Sequence, residues 1–251
     1  MPEPTKLNFN RYELKYLIPY QKVQEIIPDL GPFMLPDEYG DNHGRYVITS
    51  LYYDTPDFRF YHEKVNGLKQ RRKLRIRVYE TGKPADHKTT AFVEIKERVD
   101  KIIRKRRVQT TLGEALALCN DGEPIEGDGG NKPALDEMYC MAHTYNLKPT
   151  VITSYLRQAF QGTKIDRGLR ITFDTNCRYR RERPDLTEKD PGHFMIPPNM
   201  CIMEIKTNNS IPIWLTQLIA EHNLQIFRIS KYCTSLERAE ERIDNTIYSL
   251  A

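Results

Sequence analysis

Along this chain, charged residues recur two positions apart inside runs that otherwise read as buried strands. Glu13 and Lys15 in RYELKYLI, Arg75 and Arg77 in KLRIRVY, Glu94 and Lys96 in FVEIKER, Tyr155 and Arg157 in SYLRQAF, and Glu204 and Lys206 in IMEIKT each share one strand face at i, i+2. Arg170 and Asp174 in LRITFD, four positions apart, make a sixth such face. A solvated outer face explains any one of these pairs, because charges ordinarily point at water. Together they constrain the fold more tightly, since solvent faces usually mix Thr, Ser, Gln and Lys, whereas these repeat Arg, Lys and Glu opposite Leu, Ile, Val and Phe. If the sheet curls into a barrel with its apolar face outward against helices, the charged face becomes the lumen. Enclosing so many charges requires a partner: a polyphosphate would bind the Lys and Arg side chains, and carboxylates at one end could hold a hard cation that bridges phosphate oxygens.

The rest of the sequence supplies that sheet. Period-two alternation rich in β-branched and aromatic residues covers 11–18, 45–54, 71–80, 90–98, 102–110, 151–160, 168–175 and 201–207. Helical patterns occupy 20–30, 112–120, 133–146, 211–223 and 234–250, the last with Leu236, Ala239, Ile243, Ile247 and Leu250 on one face. The expectation is an α+β fold, an antiparallel sheet flanked and closed by helices. The loops at 81–90, 120–133 and 182–199 punctuate one domain spanning 1–251. A 39% hydrophobic content is enough for a core, and a net charge of +4 is too small to indicate nucleic-acid binding. Five scattered cysteines without a CxxC pair argue against a disulfide framework or a zinc site, and no run approaches the roughly 18 apolar residues of a membrane span. These features suggest a soluble cytoplasmic protein. Ser154 and the six histidines show no triad or metal spacing and read as surface or structural residues.

In order, RYELKY, SLYYDT, KLRIRVY, VEIKER, SYLRQAF, LRITFDT, IMEIKT and FRISKYCTSLE resemble the VTC domain, the polyphosphate polymerase branch of the triphosphate tunnel metalloenzyme (CYTH-like) superfamily. The resemblance implies an eight-stranded antiparallel barrel that binds a nucleoside triphosphate or polyphosphate lengthwise, with Mn²⁺ or Mg²⁺ held by glutamate. It assigns Lys15, Arg75, Arg77, Lys96, Tyr155, Arg157 and Lys206 to the catalytic set, Lys105, Arg170, Arg228 and Lys231 to phosphate binding, and Glu204 and Glu13 to the metal. Asp54 and Glu13 could equally orient a neighbouring Arg or Lys. Among Arg104, Lys105, Arg106 and Arg107, alternation leaves open which pair points inward; the family's lysine near this point favours Lys105. Arg11 stands where wider superfamily members open an ExExK motif with glutamate, which favours the VTC branch over the triphosphatases. Neither the inositol-phosphate-sensing domain nor the membrane helices of eukaryotic VTC proteins fall within these 251 residues.

The implied reaction is transfer of the γ-phosphate of ATP to the end of a polyphosphate chain. Such chemistry asks the protein for positioning and charge neutralisation and needs no nucleophilic side chain. The alternatives are a metal-dependent inorganic or nucleoside triphosphatase, with Glu13 as a general base, and a non-catalytic polyphosphate-binding module.

Overall fold

A computed structural model describes residues 12–80, 84–100, 102–126, 130–208 and 210–249, with side chains to residue 242. Arg11, and the side chains of Ile243, Ile247 and Leu250 in the helical pattern, lie outside the described residues. The elements in chain order are β1 (Tyr12–Pro19), α1 (Tyr20–Leu30), β2 (Met34–Pro36), β3 (Arg45–Asp54), α2 (Arg59–Val65), β4 (Gln70–Glu80), β5 (Thr90–Val99), β6 (Ile102–Thr111), α3 (Leu112–Leu116), α4 (Lys132–Thr144), β7 (Lys148–Gly162), β8 (Arg170–Arg180), β9 (His193–Phe194), β10 (Met200–Thr207), α5 (Ile213–Glu221) and α6 (Lys231–Ser249). All eight expected strands form. The expected helix at 112–120 is instead α3, entered through a Thr111–Glu114 capping box, followed by a π-helical turn at Ala117–Asp121.

The long strands belong to a large antiparallel sheet with the order β1-β10-β8-β7-β3-β4-β5-β6, to which β2 adds on β7 and β9 on β8. Among the described residues the ladders form an open path with β1 and β6 as its ends, not the closed ring expected from the sequence. The outer edge of β1 has a different neighbour: Tyr16 bridges Ile226, and the Phe227 N–H donates to the Lys15 carbonyl at 2.7 Å. That contact satisfies backbone groups that closure through β1 would otherwise use.

The chain divides into two compact units: Met1–Tyr46, Leu156–Cys177 and Ile196–Ile229 form the first, and Val47–Tyr155, Arg178–Met195 and Ser230–Ala251 the second. In the first, Tyr16 and Ile18 of β1, Ile171 and Phe173 of β8 and Met203 and Ile205 of β10 bury one sheet face against Val23, Ile26 and Leu30 of α1 and Leu215 and Leu218 of α5. In the second, Leu74, Ile76 and Val78 of β4 and Ala91, Val93 and Ile95 of β5 pack with Leu112 and Ala115 of α3 and Leu135 and Met138 of α4. Each core residue alternates with one of the charged positions, so the pleat sends Glu13, Lys15, Arg75, Arg77, Glu94, Glu204 and Lys206 to the face away from the helices. In each unit, then, the apolar face of the sheet packs against helices and the charged face is the opposite one.

Within the second unit the buried Asp54 carboxylate organises the chain after β3. It accepts from the N–H groups of Thr55 at 2.7 Å, Phe60 at 2.9 Å and Tyr61 at 3.0 Å, and from the Tyr232 hydroxyl. These bonds start α2 and tie the first turn of α6 to the sheet. Burial, reinforced by the Asp54 charge, raises the Tyr232 phenol far above its ordinary pKa. Asp54→Ala strands several buried donors, each costing about 1–3 kcal/mol, so urea denaturation should show a loss of about 3 kcal/mol or more. A loss below about 1 kcal/mol would show that water replaces the carboxylate.

Candidate functional site

The charged face of the second unit is assembled by register. Tyr52 pairs with Arg75, Arg75 with Glu94 and Glu94 with Arg107; one row along, Lys73 pairs with Lys96 and Lys96 with Lys105. Three lysines therefore lie side by side across β4, β5 and β6, an arrangement that costs free energy through like-charge repulsion. Glu94 is the acidic centre of this face. Its carboxylate lies 2.6 Å from Arg75 Nη2, 2.8 Å from Lys105 Nζ, 3.4 Å from Arg107 Nε and 3.8 Å from Arg77 Nη1. Burial would raise the Glu94 pKa, but Arg75, Arg77 and Lys105 hold it far below the carboxylate range. One carboxylate among four cations leaves an excess of positive charge.

Aromatic hydroxyls complete the face. Arg75 Nη1 donates to the Tyr52 oxygen at 2.9 Å, and Arg77 Nη2 approaches the Tyr155 oxygen at 3.5 Å. Burial would raise the Tyr52 phenol, yet Arg75, Arg77 and Lys73 bring it down to about 8. Burial lowers Lys105, with Glu94 opposing and Arg75 and Arg77 adding to the effect. From the start of α6, Lys231 places its ammonium 4.4 Å from the Tyr155 ring centre, and Lys73 donates to Ser230 at 2.9 Å. Expected residues Arg75, Arg77, Lys96, Lys105, Tyr155 and Lys231 are thus placed on or against this face, Lys96 with its side chain exposed.

The first unit carries a more evenly paired cluster. In register, Lys15 faces Glu204 and Glu13 faces Lys206. Glu204 lies 2.9 Å from Lys206 and 3.6 Å from Lys15, and Lys15 lies 3.2 Å from Glu13. Burial works to raise Glu204, but Lys206 and Lys15 hold it well below the usual range. Burial brings Lys206 down to about 8 against the opposing pull of Glu204. Arg157 is clamped to the buried Asp174 by bonds of 2.7 and 2.8 Å, and Arg170 binds Asp37 and the Tyr46 oxygen, the latter at 2.7 Å.

Two carboxylates converge at the Lys15 ammonium, Glu204 buried and Glu13 more open. Among the described residues no group of three or more His, Cys, Asp or Glu side chains is placed to hold a metal. Mg²⁺-type sites often take only one or two carboxylates, with phosphate and water completing the shell, so the Glu204–Glu13 pair fits such an ion together with a phosphate ligand. Arg228 is exposed on the segment between α5 and α6, and among the described residues no hydrogen bond or ion pair draws it into either cluster. The sequence alone assigns no role to Tyr52, Lys73, Asp37 or Ser230, and Arg107 stands there as one of four positions whose direction is open. Tyr52 had a signal: it alternates with Asp54 in SLYYDT and falls opposite Arg75.

The chain is 25% identical to vacuolar transporter chaperone complex subunit 4 of Trypanosoma brucei brucei, the alignment covering 89% of this chain and 34% of that protein. The subunit 4 of Trypanosoma cruzi gives the same identity, covering 89% of this chain and 33% of its own. The chain therefore spans about a third of the length of these curated relatives. An adenylate cyclase candidate from Bacillus halodurans superposes with a TM-score of 0.52 at 13% identity, covering 88% of this chain and 95% of that one. An adenylyl cyclase candidate from Hippeastrum, described as having a dominant triphosphatase activity, gives 0.52 at 15% identity over 90% of this chain and 94% of its own; both establish likeness of fold. The VTC domain profile matches residues 10–239, and the chain belongs to the VTC domain family.

Proposed function

We propose that this chain is an ATP-dependent polyphosphate polymerase, transferring the γ-phosphate of ATP to the terminal phosphate of a growing chain. The observation that carries the reading is the cross-strand row Lys73–Lys96–Lys105 beside Arg75, Arg77 and Arg107, with Glu94 the acidic group at its centre. A polyanion turns that repulsion into binding energy, and an extended phosphate chain matches a face of repeated cations. The tunnel geometry implied by the resemblance belongs to this same proposal, as does a cytoplasmic setting, which suits the five free thiols.

Arg75 and Arg77 orient the donor phosphate with fixed guanidinium forks, and the lysines hold the acceptor chain as movable point charges. The Tyr155 hydroxyl, supported by Arg77, can donate to a phosphate oxygen. An oxygen of the terminal chain phosphate forms the new bond to phosphorus as the bond to ADP breaks, and the electron pair leaves with ADP. Glu204 with Glu13 would hold Mn²⁺ or Mg²⁺, which would supply charge neutralisation to a phosphate ligand when bound. Asp174 fixes the Arg157 fork so that it keeps one orientation towards an anion.

Purified protein given Mn²⁺ and γ-labelled ATP should make long labelled chains and ADP, and a chelator should stop the reaction. Free labelled phosphate alone would replace this reading with triphosphatase activity. Glu204→Ala should reduce turnover at least a hundredfold; retained activity would refute the metal assignment.

Affinity for polyphosphate should also fall as pH rises through about 8, where Lys206 loses its proton and Tyr52 gains a negative charge. Lys206→Arg with Tyr52→Phe should flatten that step, and an unchanged step in the double variant would exclude both groups. The sign for stability is opposite. Both groups have folded pKa values below their unfolded ones, so the unfolded chain holds more protons from about pH 8 to about pH 10, and these two residues make stability rise with pH across that window.

A further inference from the structure

The charged face of the second unit ends in aromatic residues. Along β4 the residues on this face are Lys73, Arg75, Arg77 and then Tyr79; along β5 they are Lys96, Glu94 and then Phe92; along β6 they are Lys105, Arg107 and then Gln109. Beyond the guanidinium groups, then, the same pleat presents two rings and a carboxamide.

The rings form a layer with an arginine on top. Tyr79 and Phe92 meet edge to face at 5.6 Å, and the Arg107 guanidinium carbon sits 3.7 Å from the Phe92 ring centre and 5.5 Å from that of Tyr79. Arg107 also donates to the Tyr79 oxygen at 3.0 Å and reaches Glu94, so its plane is held from three sides. Phe92 and Tyr79 are only partly buried, while Arg107 and Gln109 are exposed. A hydrophobic core has no use for this arrangement. A guanidinium plane backed by a ring is a surface on which a flat heteroaromatic base stacks, and a neighbouring carboxamide offers one donor and one acceptor to a base edge.

Spacing connects this layer to the phosphate face. From Arg75 to Tyr79 is four residues of strand, roughly 13 Å. That span suits a nucleotide lying along β4 with its terminal phosphates at Arg75 and Arg77 and its base at the aromatic end.

Resting on the polymerase reading above, we propose that Phe92, Tyr79 and Arg107 form the nucleobase subsite of the donor nucleotide, with Gln109 facing the base edge. The site selects a nucleoside triphosphate over a bare triphosphate by stacking. It gives the donor and acceptor different addresses on one face, because an inorganic phosphate chain has nothing to place on the aromatic layer.

The test is equilibrium binding of ATP, ribose 5-triphosphate and inorganic tripolyphosphate to the whole chain and to Phe92→Leu and Phe92→Ala variants. The wild-type protein should hold ATP about tenfold or more tightly than ribose 5-triphosphate, the scale of one stacked base. Phe92→Ala should abolish that preference while ribose 5-triphosphate and tripolyphosphate bind as before, with Phe92→Leu between the two. Equal wild-type affinity for ATP and ribose 5-triphosphate would overturn the subsite and leave the triphosphate reading standing. Failure of the wild type to bind any of the three would overturn both. Variants that weaken all three ligands alike would show that Phe92 acts through the fold, and the subsite would again fall. Gln109→Ala serves as a variant on an exposed side chain, in which the preference for ATP over GTP should change while the ribose 5-triphosphate affinity does not.

Discussion

Lys73, Lys96 and Lys105 are held at neighbouring positions by the hydrogen-bonded register of three strands, beside Arg75, Arg77 and Arg107. This crowding of cations carries an electrostatic cost that Arg75 and Arg77 exert on Lys105. The register cannot slip to relieve it. A shift of one residue would turn Leu74, Ile76, Val93 and Ile95 out of the core beneath α3 and α4, so the apolar face enforces the electrostatic cost on the charged one. Burying such a side chain contributes about 1.5–3 kcal/mol, and four of them outweigh the repulsion of partly solvated ammonium groups. The sheet therefore keeps a positive surface in place before any ligand arrives, which is the condition for electrostatic preorganisation.

Glu94 shows how far the protein compensates that charge on its own. It is almost fully buried, and its two oxygens are shared among Arg75, Arg77, Lys105 and Arg107. A second carboxylate here would lower that positive charge and stabilise the face without ligand. Its absence leaves charge for an anion, and the single carboxylate fixes the directions of the guanidinium groups. Tyr52, Tyr155 and Tyr79 extend this by placing hydroxyl oxygens, in place of carboxylates, against Arg75, Arg77 and Arg107.

The strands were legible in the sequence because their two faces differ so sharply; every expected run became a strand with ends moved by a few residues. What stayed hidden was set by tertiary contacts. α2 carries little apolar periodicity and begins where Asp54 captures the N–H groups of Phe60 and Tyr61, and β2 and β9 exist only as short additions to β7 and β8. For the site, the open choice within Arg104–Arg107 had an answer nearby. Val108 is a core residue, so Arg106 shares its face and reaches Glu137 of α4, while Lys105 and Arg107 take the Glu94 face. Arg170 and Asp174 share a strand face as expected but bind different partners, Asp37 and Arg157, which no spacing along one strand could reveal.

The two units differ in their charge balance, and the difference bears on division of labour. In the first unit Lys15, Lys206, Arg157 and Arg170 are set against Glu13, Glu204, Asp174 and Asp37. Cations and carboxylates there are matched, and burial has already weakened the hold of Lys206 on its proton, with its pKa near 8. On the charged face of the second unit, Glu94 is set against Arg75, Arg77, Lys105 and Arg107. Adding an anion to the first unit competes with carboxylates already in place, whereas adding one to the second relieves repulsion. A divalent cation reverses the comparison, because it gains from Glu13 and Glu204 and loses against the lysine row. Charge balance thus favours a cation more at the acid-rich cluster and an anion more at the acid-poor one, a contrast that follows from the charges set against one another in each cluster.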